Sequence, residues 1–95
     1  MGKQENKVEL FLDEQICRMG GATYKFVSPC KRHVPDRMVM LYGKVWFVEV
    51  KALGEVATPG QEREIAKLKK QGMNACYVSG IRGVKDFLNK EFNFK

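Results

Sequence analysis

The sequence predicts an α/β fold in which a small sheet is flanked by helices, in the order α-β-β-β-α-β-α. Three observations predict this class. Apolar residues recur at helical spacing near the N-terminus, a nearly continuous apolar run in mid-chain is typical of a buried strand, and turn signals separate a second helix from the strands around it. No repeat, linker or low-complexity run divides the 95 residues, so we expect one domain, residues 1–95.

The first helix is predicted from about residue 5 to residue 19. Val8, Leu12, Ile16 and Met19 recur at steps of four, four and three, which places them on one face. Gly20-Gly21 ends this pattern. The aromatic and β-branched residues from 22 to 27 then predict the first strand, which Ser28-Pro29 closes.

A hairpin follows, because strands at 37–41 and 45–51 flank a short turn at 42–44. Thr58-Pro59 is a helix-start signal, and the helix is expected to run from about 60 to 71 and to end at Gly72. A strand at 74–79 and a closing helix at 84–91 complete the prediction.

Composition narrows the possible functions. Seventeen Lys and Arg against eleven acids give a net charge of +6, which indicates either a polyanionic partner such as nucleic acid or solubilisation by charge. No run of about 18 apolar residues is present and the N-terminus lacks an apolar core, so we expect a cytoplasmic protein without membrane contact. Three cysteines and one histidine make a poor zinc set; we expect free thiols, with Cys17 and Cys76 as small core residues.

Polar residues interrupt the apolar strand at 45–51. Glu49 and Lys51 are two residues apart and therefore project from the same face. Asp36 opens the partner strand at a similar distance from the turn, so the carboxylates of Asp36 and Glu49 are expected to be close neighbours. One interpretation is a salt bridge between Glu49 and Lys51 at a fraying strand end. The other is a pair of carboxylates that holds Mg²⁺ or Mn²⁺, with Lys51 beside it.

The helices supply two further candidates. On the first helix Glu5 falls inside the apolar stripe and Glu9 at its margin, so Glu5 is the acid expected to point inward, with Glu9 second. A solvated first turn or an acid that complements the helix dipole would explain Glu5 equally well. On the second helix Gln61 shares a face with Ile65 and Leu68 and also aims inward, unless it is only a capping amide.

These residues resemble the signature of the PD-(D/E)XK nuclease superfamily, with Pro35-Asp36 followed by Glu49-Val50-Lys51. The surrounding segments sharpen the resemblance to the VRR-NUC family, the virus-type replication–repair nucleases common in phages, over roughly residues 5 to 80. The matching segments are Gly20-Gly21, Tyr24 to Pro29, Val34 to Arg37, Phe47 to Lys51, Thr58 to Gln61 and Val78.

The resemblance implies a restriction-endonuclease-like core and specific roles. Asp36 and Glu49 match the metal-binding acids, with the Val50 carbonyl in the same shell, and Lys51 matches the catalytic lysine. Gln61 matches the family's glutamine at this helix start, and Glu5 best matches its acid on the first helix. The sequence departs from the family at His33 and Cys30, where glycine is usual.

The function implied is Mg²⁺- or Mn²⁺-dependent hydrolysis of phosphodiesters in DNA, in a phage protein acting in its bacterial host or in a bacterial cytosol. We expect Lys31, Arg32 and Arg37 to contact backbone phosphates unless they are solvated loop charges. Lys67, Lys69 and Lys70 are expected to form a solvated face, with DNA contact as the alternative.

The family further implies branched DNA, such as four-way junctions, cut by a homodimer; Leu10 and Phe11 are candidate interface residues, or partial core. Two other hypotheses are a non-catalytic DNA-binding module of the same fold and a sequence-specific restriction-type endonuclease.

Overall fold

The computed structural model describes residues 3–93, so the first two and last two residues of the predicted domain lie outside this range. The order of elements is the predicted α-β-β-β-α-β-α, and the fold class is confirmed. The elements are α1 (Lys3–Arg18), β1 (Ala22–Lys25), β2 (Arg37–Leu41), β3 (Lys44–Lys51), α2 (Pro59–Lys70), β4 (Asn74–Ser79) and α3 (Gly80–Phe92).

The four strands form one mixed sheet in the order β1-β2-β3-β4. The first three strands are antiparallel neighbours, and β4 pairs with β3 in parallel after the crossover through α2. The β2–β3 hairpin turns at Tyr42-Gly43, both of which have positive φ angles, as a tight two-residue turn requires. This hairpin brings the residues before β2 to the C-terminal end of β3.

The main core lies on the sheet face covered by α1 and α3. Val48 and Val50 on β3 are fully buried there with Leu12 and Ile16 of α1 and Leu88 of α3. Because side chains alternate along a strand, Phe47, Glu49 and Lys51 project from the opposite face, on which α2 packs beside β4. The main core therefore leaves Glu49 and Lys51 to the side of the sheet that α2 reaches.

The structure differs from the sequence prediction at the start of the closing helix and at Cys17. The closing helix begins at Gly80 rather than at residue 84, because Gly80 (φ +69°) lets the chain turn from β4 directly into α3. Cys17 is exposed, not a core residue, whereas Cys76 is partly buried against the core as expected. Across residues 3–93, no helix has both the length and the apolar character needed to cross a membrane.

Candidate active site

Asp36 and Glu49 lie side by side at one end of the two central strands, β2 and β3. The register that pairs Arg37 with Val48 places Asp36 opposite Glu49, one step further along. The backbone N–H of Val50 donates to Asp36 Oδ2 over 3.0 Å, which fixes this carboxylate against β3. The backbone N–H of Phe26 donates to the Asp36 carbonyl over 2.9 Å and so ties the residue to the end of β1 as well. The predicted neighbourhood of the two carboxylates is therefore present.

Glu49 is buried, with 4% of its surface exposed, and two other candidate side chains contact it. Gln61 Nε2 donates to Glu49 Oε2 over 3.0 Å, and Lys51 Nζ lies 3.6 Å from the same oxygen. The structure thus brings together Asp36, Glu49, Lys51 and Gln61, from two strands and one helix.

Gln61 both caps α2 and points inward to the site, the two roles that its sequence position allowed. Its backbone N–H donates to Thr58 Oγ1 (3.2 Å) and its side-chain oxygen accepts from the Thr58 N–H (2.9 Å), which completes a capping box at the start of α2. The amide nitrogen of the same side chain points to Glu49. The cap therefore fixes the orientation in which Gln61 meets the carboxylate.

The electrostatics of the site are dominated by the burial of Glu49 and by the nearby charge of Asp36. Burial is the main reason that the pKa of Glu49 is raised to about 8; the charge of Asp36 adds to the rise, and Lys51 opposes it. Without a cation, the protonated form of Glu49 is therefore favoured over much of the neutral pH range. A positive charge added between the two carboxylates would lower the pKa of Glu49 again.

No group of three or more His, Cys, Asp or Glu side chains within residues 3–93 is arranged to hold a metal ion. The Asp36–Glu49 pair nevertheless fits a hard divalent cation, because carboxylate oxygens are its preferred ligands. Burial and the neighbouring Asp36 charge both disfavour the ionised form of Glu49, and a bound cation would offset them. The charge of Glu5 also contributes to the raised pKa of Glu49, so this third acid lies within electrostatic reach of the pair.

The order expected for the two acids of α1 is wrong in one respect. Glu9 is the buried acid, with 6% of its surface exposed, and Glu5 is only half-buried. The reason lies outside the helix: the Arg37 guanidinium is 3.1 Å from Glu9 Oε1 and compensates the buried charge. A helical wheel of α1 contains no information about this partner from β2. Glu5 as a metal ligand stays a prediction.

The predicted phosphate-binding residues separate into two places. Lys31 and Arg32 lie exposed on the loop between β1 and β2, where Lys31 Nζ is 3.9 Å from Glu64 of α2. Arg37 instead points to the α1 side of the sheet, between Glu9 and Asp13, with 15% of its side chain exposed. Its contact with DNA stays a prediction, and its Nη2 already contacts both acids of α1.

Sequence reasoning missed the ion-pair network around Arg37. Asp13 accepts from Arg37 over 3.2 Å and from the Thr23 hydroxyl over 2.7 Å, so the network joins α1 to both β1 and β2. The available signal was the four-residue spacing of Glu9 and Asp13, which places both acids on one face of the helix. Its partner could be identified only from the packing of α1 on the sheet.

Comparisons with known proteins agree with this fold. No family model matches the chain. The chain is 52% identical over 66 residues to "Putative nuclease p44" of Acyrthosiphon pisum secondary endosymbiont phage 1, and the match covers 68% of this chain and 71% of the phage protein.

Two solved structures share the fold. One is a VRR-NUC domain with a TM-score of 0.81 and 26% identity, covering 96% of this chain and 99% of the other. The second is a VRR-NUC domain protein with a TM-score of 0.76 and 20% identity, covering 98% of this chain and 91% of the other. The sequence identity with the phage protein and the fold shared over almost the whole chain show that this chain belongs to the VRR-NUC family.

Proposed function

We propose that this VRR-NUC domain is a divalent-metal-dependent endonuclease that hydrolyses phosphodiesters in DNA, preferably branched DNA such as a four-way junction. The observation that carries the proposal is the buried Glu49 carboxylate, which lies beside Asp36 and is contacted by both Lys51 and Gln61. The name of the related phage protein and the family of the similar structures support the nuclease part of this proposal.

The contacts of each side chain indicate its role in the proposed reaction. Asp36 and Glu49, with the Val50 carbonyl and Glu5 as further candidates, would hold Mg²⁺ or Mn²⁺. When bound, the ion would polarise the scissile phosphate and lower the pKa of the attacking water. Lys51 carries the positive charge that lies closest to Glu49, and it stabilises the additional negative charge on the phosphate as the water attacks. Gln61 is a positioning residue, because its amide holds the Glu49 carboxylate in place.

Metal-dependent cleavage of a defined set of DNA substrates tests the proposal. The set contains a four-way junction, a flap, a single strand and a long linear duplex, each incubated with Mg²⁺, with Mn²⁺ or with EDTA. We expect cleavage of the junction with either metal and none with EDTA. Lys51→Met should lower the rate by roughly 10²- to 10³-fold, because it removes one group that stabilises the transition state.

Matched variants separate the site from the fold. Glu49→Gln should abolish cleavage, whereas Glu14→Gln, the same change on the exposed surface of α1, should leave it unaltered. Cleavage by purified Glu49→Gln protein at the wild-type rate would overturn the assignment of the site. Discrete, sequence-dependent bands from the linear duplex would replace the branched substrate with a short recognition sequence, and binding without cleavage by the wild type would indicate a non-catalytic module.

A further inference from the structure

A second surface next to the site has a strongly basic lining. The loop residues Cys30, Lys31, Arg32 and His33 face Gly60, Arg63, Glu64 and Lys67 of α2 across an open cavity of about 240 Å³, called here the basic cavity. Four of these side chains are cationic at neutral pH. The single acid, Glu64, is mostly buried and already lies 3.9 Å from Lys31 Nζ. The lining of the basic cavity within residues 3–93 therefore carries an excess of positive charge.

The basic cavity adjoins the carboxylate site through the first turn of α2. The His33 ring packs on Gly60 so closely that a Cβ atom added there would lie 2.8 Å from His33 Nε2. His33 itself has a φ of 65°, in the left-handed region, which is an unfavourable backbone conformation for a residue other than glycine. The next residue, Gln61, contacts Glu49. The two surfaces are thus linked through two consecutive residues.

The positions of the α2 cations distinguish them from one another. Arg63 and Lys67 are four residues apart, so they lie on the same helical face, and both line the basic cavity. Lys69 lines a separate depression with Cys76 and Tyr77, and Lys70 lines neither. The lysines that the sequence grouped as one solvated face therefore differ in what they can contact.

We propose that the basic cavity binds backbone phosphates of the DNA strand next to the scissile phosphodiester, with Arg63 and Lys67 as its contacts from α2 and Lys31 and Arg32 from the loop. This inference rests on the proposed nuclease function. Its support is charge complementarity, because a phosphodiester backbone presents one negative charge per nucleotide and is held mainly by Arg and Lys side chains. The contact fixes the position of the strand and carries no sequence information.

Two charge-reversal variants on the same helix provide the test. Arg63→Glu/Lys67→Glu alters the basic cavity, and Lys69→Glu/Lys70→Glu makes the same change in net charge outside it. Binding of a fluorescent four-way junction is measured by anisotropy in EDTA, which prevents cleavage, over a range of salt concentrations. We expect the first variant to bind at least about tenfold more weakly and to have a shallower dependence of log K on log salt, by roughly one unit per lost contact.

The control, Lys69→Glu/Lys70→Glu, should bind the junction within about threefold of the wild-type affinity. Its salt slope should match that of the wild type, since its charges lie away from the strand. Thermal unfolding of each variant confirms folding, and the milder Arg63→Gln/Lys67→Gln pair should show the same ranking. Equal losses from both charge reversals would overturn the inference while leaving the nuclease proposal intact, provided the wild type cleaves DNA with Mg²⁺. A wild type that neither binds nor cleaves DNA would refute both.

Discussion

At the scale of single residues, Glu49 shows how the fold prepares a carboxylate for a cation. Burial and the neighbouring Asp36 raise the pKa of Glu49 to about 8, and the contacts from Gln61 and Lys51 hold its carboxylate in place. A buried position of this kind is unfavourable for a charged group without a partner. The geometry therefore suits a site that is completed by binding a cation rather than one that exists only to stabilise the fold.

The raised pKa predicts how the metal-free protein responds to pH. A carboxyl group whose pKa is higher in the folded state binds its proton more tightly there, so its stabilising contribution is full below about pH 4.5 and is lost as the pH rises through about 8. In EDTA we expect the free energy of unfolding to fall across this window by an amount on the order of a few kcal/mol. Mg²⁺ should restore part of it at the upper end.

Urea unfolding at pH 5 and pH 8.5 measures this loss, and Glu49→Gln is the control because it cannot titrate. The difference between the two proteins isolates Glu49 from the other ionisable groups. Parallel pH profiles for the wild type and Glu49→Gln would contradict the prediction.

At the scale of elements, the network of Arg37, Glu9 and Asp13 joins α1 to the sheet. Arg37 follows Asp36 directly, so its ion pairs also fix the segment that carries the candidate metal ligand. The charges are mostly buried: 15% of the Arg37 side chain and 8% of the Glu9 side chain are exposed. Burial raises the pKa of Glu9, and the Arg37 charge opposes that rise. The carboxylate thus depends on its partner from β2.

Removal of Arg37 should therefore strongly lower the free energy of unfolding. Arg37→Met leaves the Glu9 carboxylate buried without its cation, and we expect a loss of about 3–5 kcal/mol in the free energy of unfolding. The matched control is Arg82→Met, because Arg82 pairs with Asp86 over 3.3 Å on an exposed surface of α3, where such a pair is worth at most about 1 kcal/mol. Chemical denaturation measures both.

A second change distinguishes charge from shape in the same network. Adding Glu9→Gln to Arg37→Met removes the unpaired charge, so the double variant should recover part of the loss. Equal destabilisation by Arg37→Met and Arg82→Met would show that the buried pair contributes no more to the free energy of unfolding than an exposed one.

The elements also show what can be predicted from sequence and what cannot. The periodicity of Val8, Leu12 and Ile16 and the turn at Tyr42-Gly43 are local signals, and the helix and hairpin they predict are present. The hairpin register is local too, which is why the proximity of Asp36 to Glu49 followed from counting residues. The partner of Glu9 and the ring of His33 on Gly60 depend on how distant elements pack, so no local pattern could reveal them.

At the scale of the whole molecule, the carboxylate site and the basic cavity lie on adjoining parts of one side, linked by the first turn of α2. A single copy thus presents one set of candidate catalytic groups. Symmetric cutting of a four-way junction requires two, one for each of the opposed strands, and a twofold dimer is the simplest assembly that supplies them. We therefore propose a homodimer as the assembly that cuts both strands of a junction.

The surface of α1 offers a candidate interface, and its two apolar residues differ. Phe11 packs against the core, with Lys85 Nζ 6.0 Å from the centre of its ring, so it is occupied within the chain. Leu10 is 61% exposed. When a second copy covers an apolar side chain at that exposure, the free energy of association becomes more favourable. Leu10 is thus the better of the two candidates.

Light scattering during size-exclusion chromatography tests the dimer, and we expect twice the chain mass at micromolar concentration. Leu10→Asp should shift the mass toward one chain and lower the paired cutting of a junction, because a charge in an apolar contact opposes association. Val56→Asp is the control, since Val56 is also exposed, at 67%, but lies in the loop before α2. A wild type of one chain mass that still cuts both strands would contradict the dimer, whereas dissociation by Val56→Asp alone would move the interface away from α1.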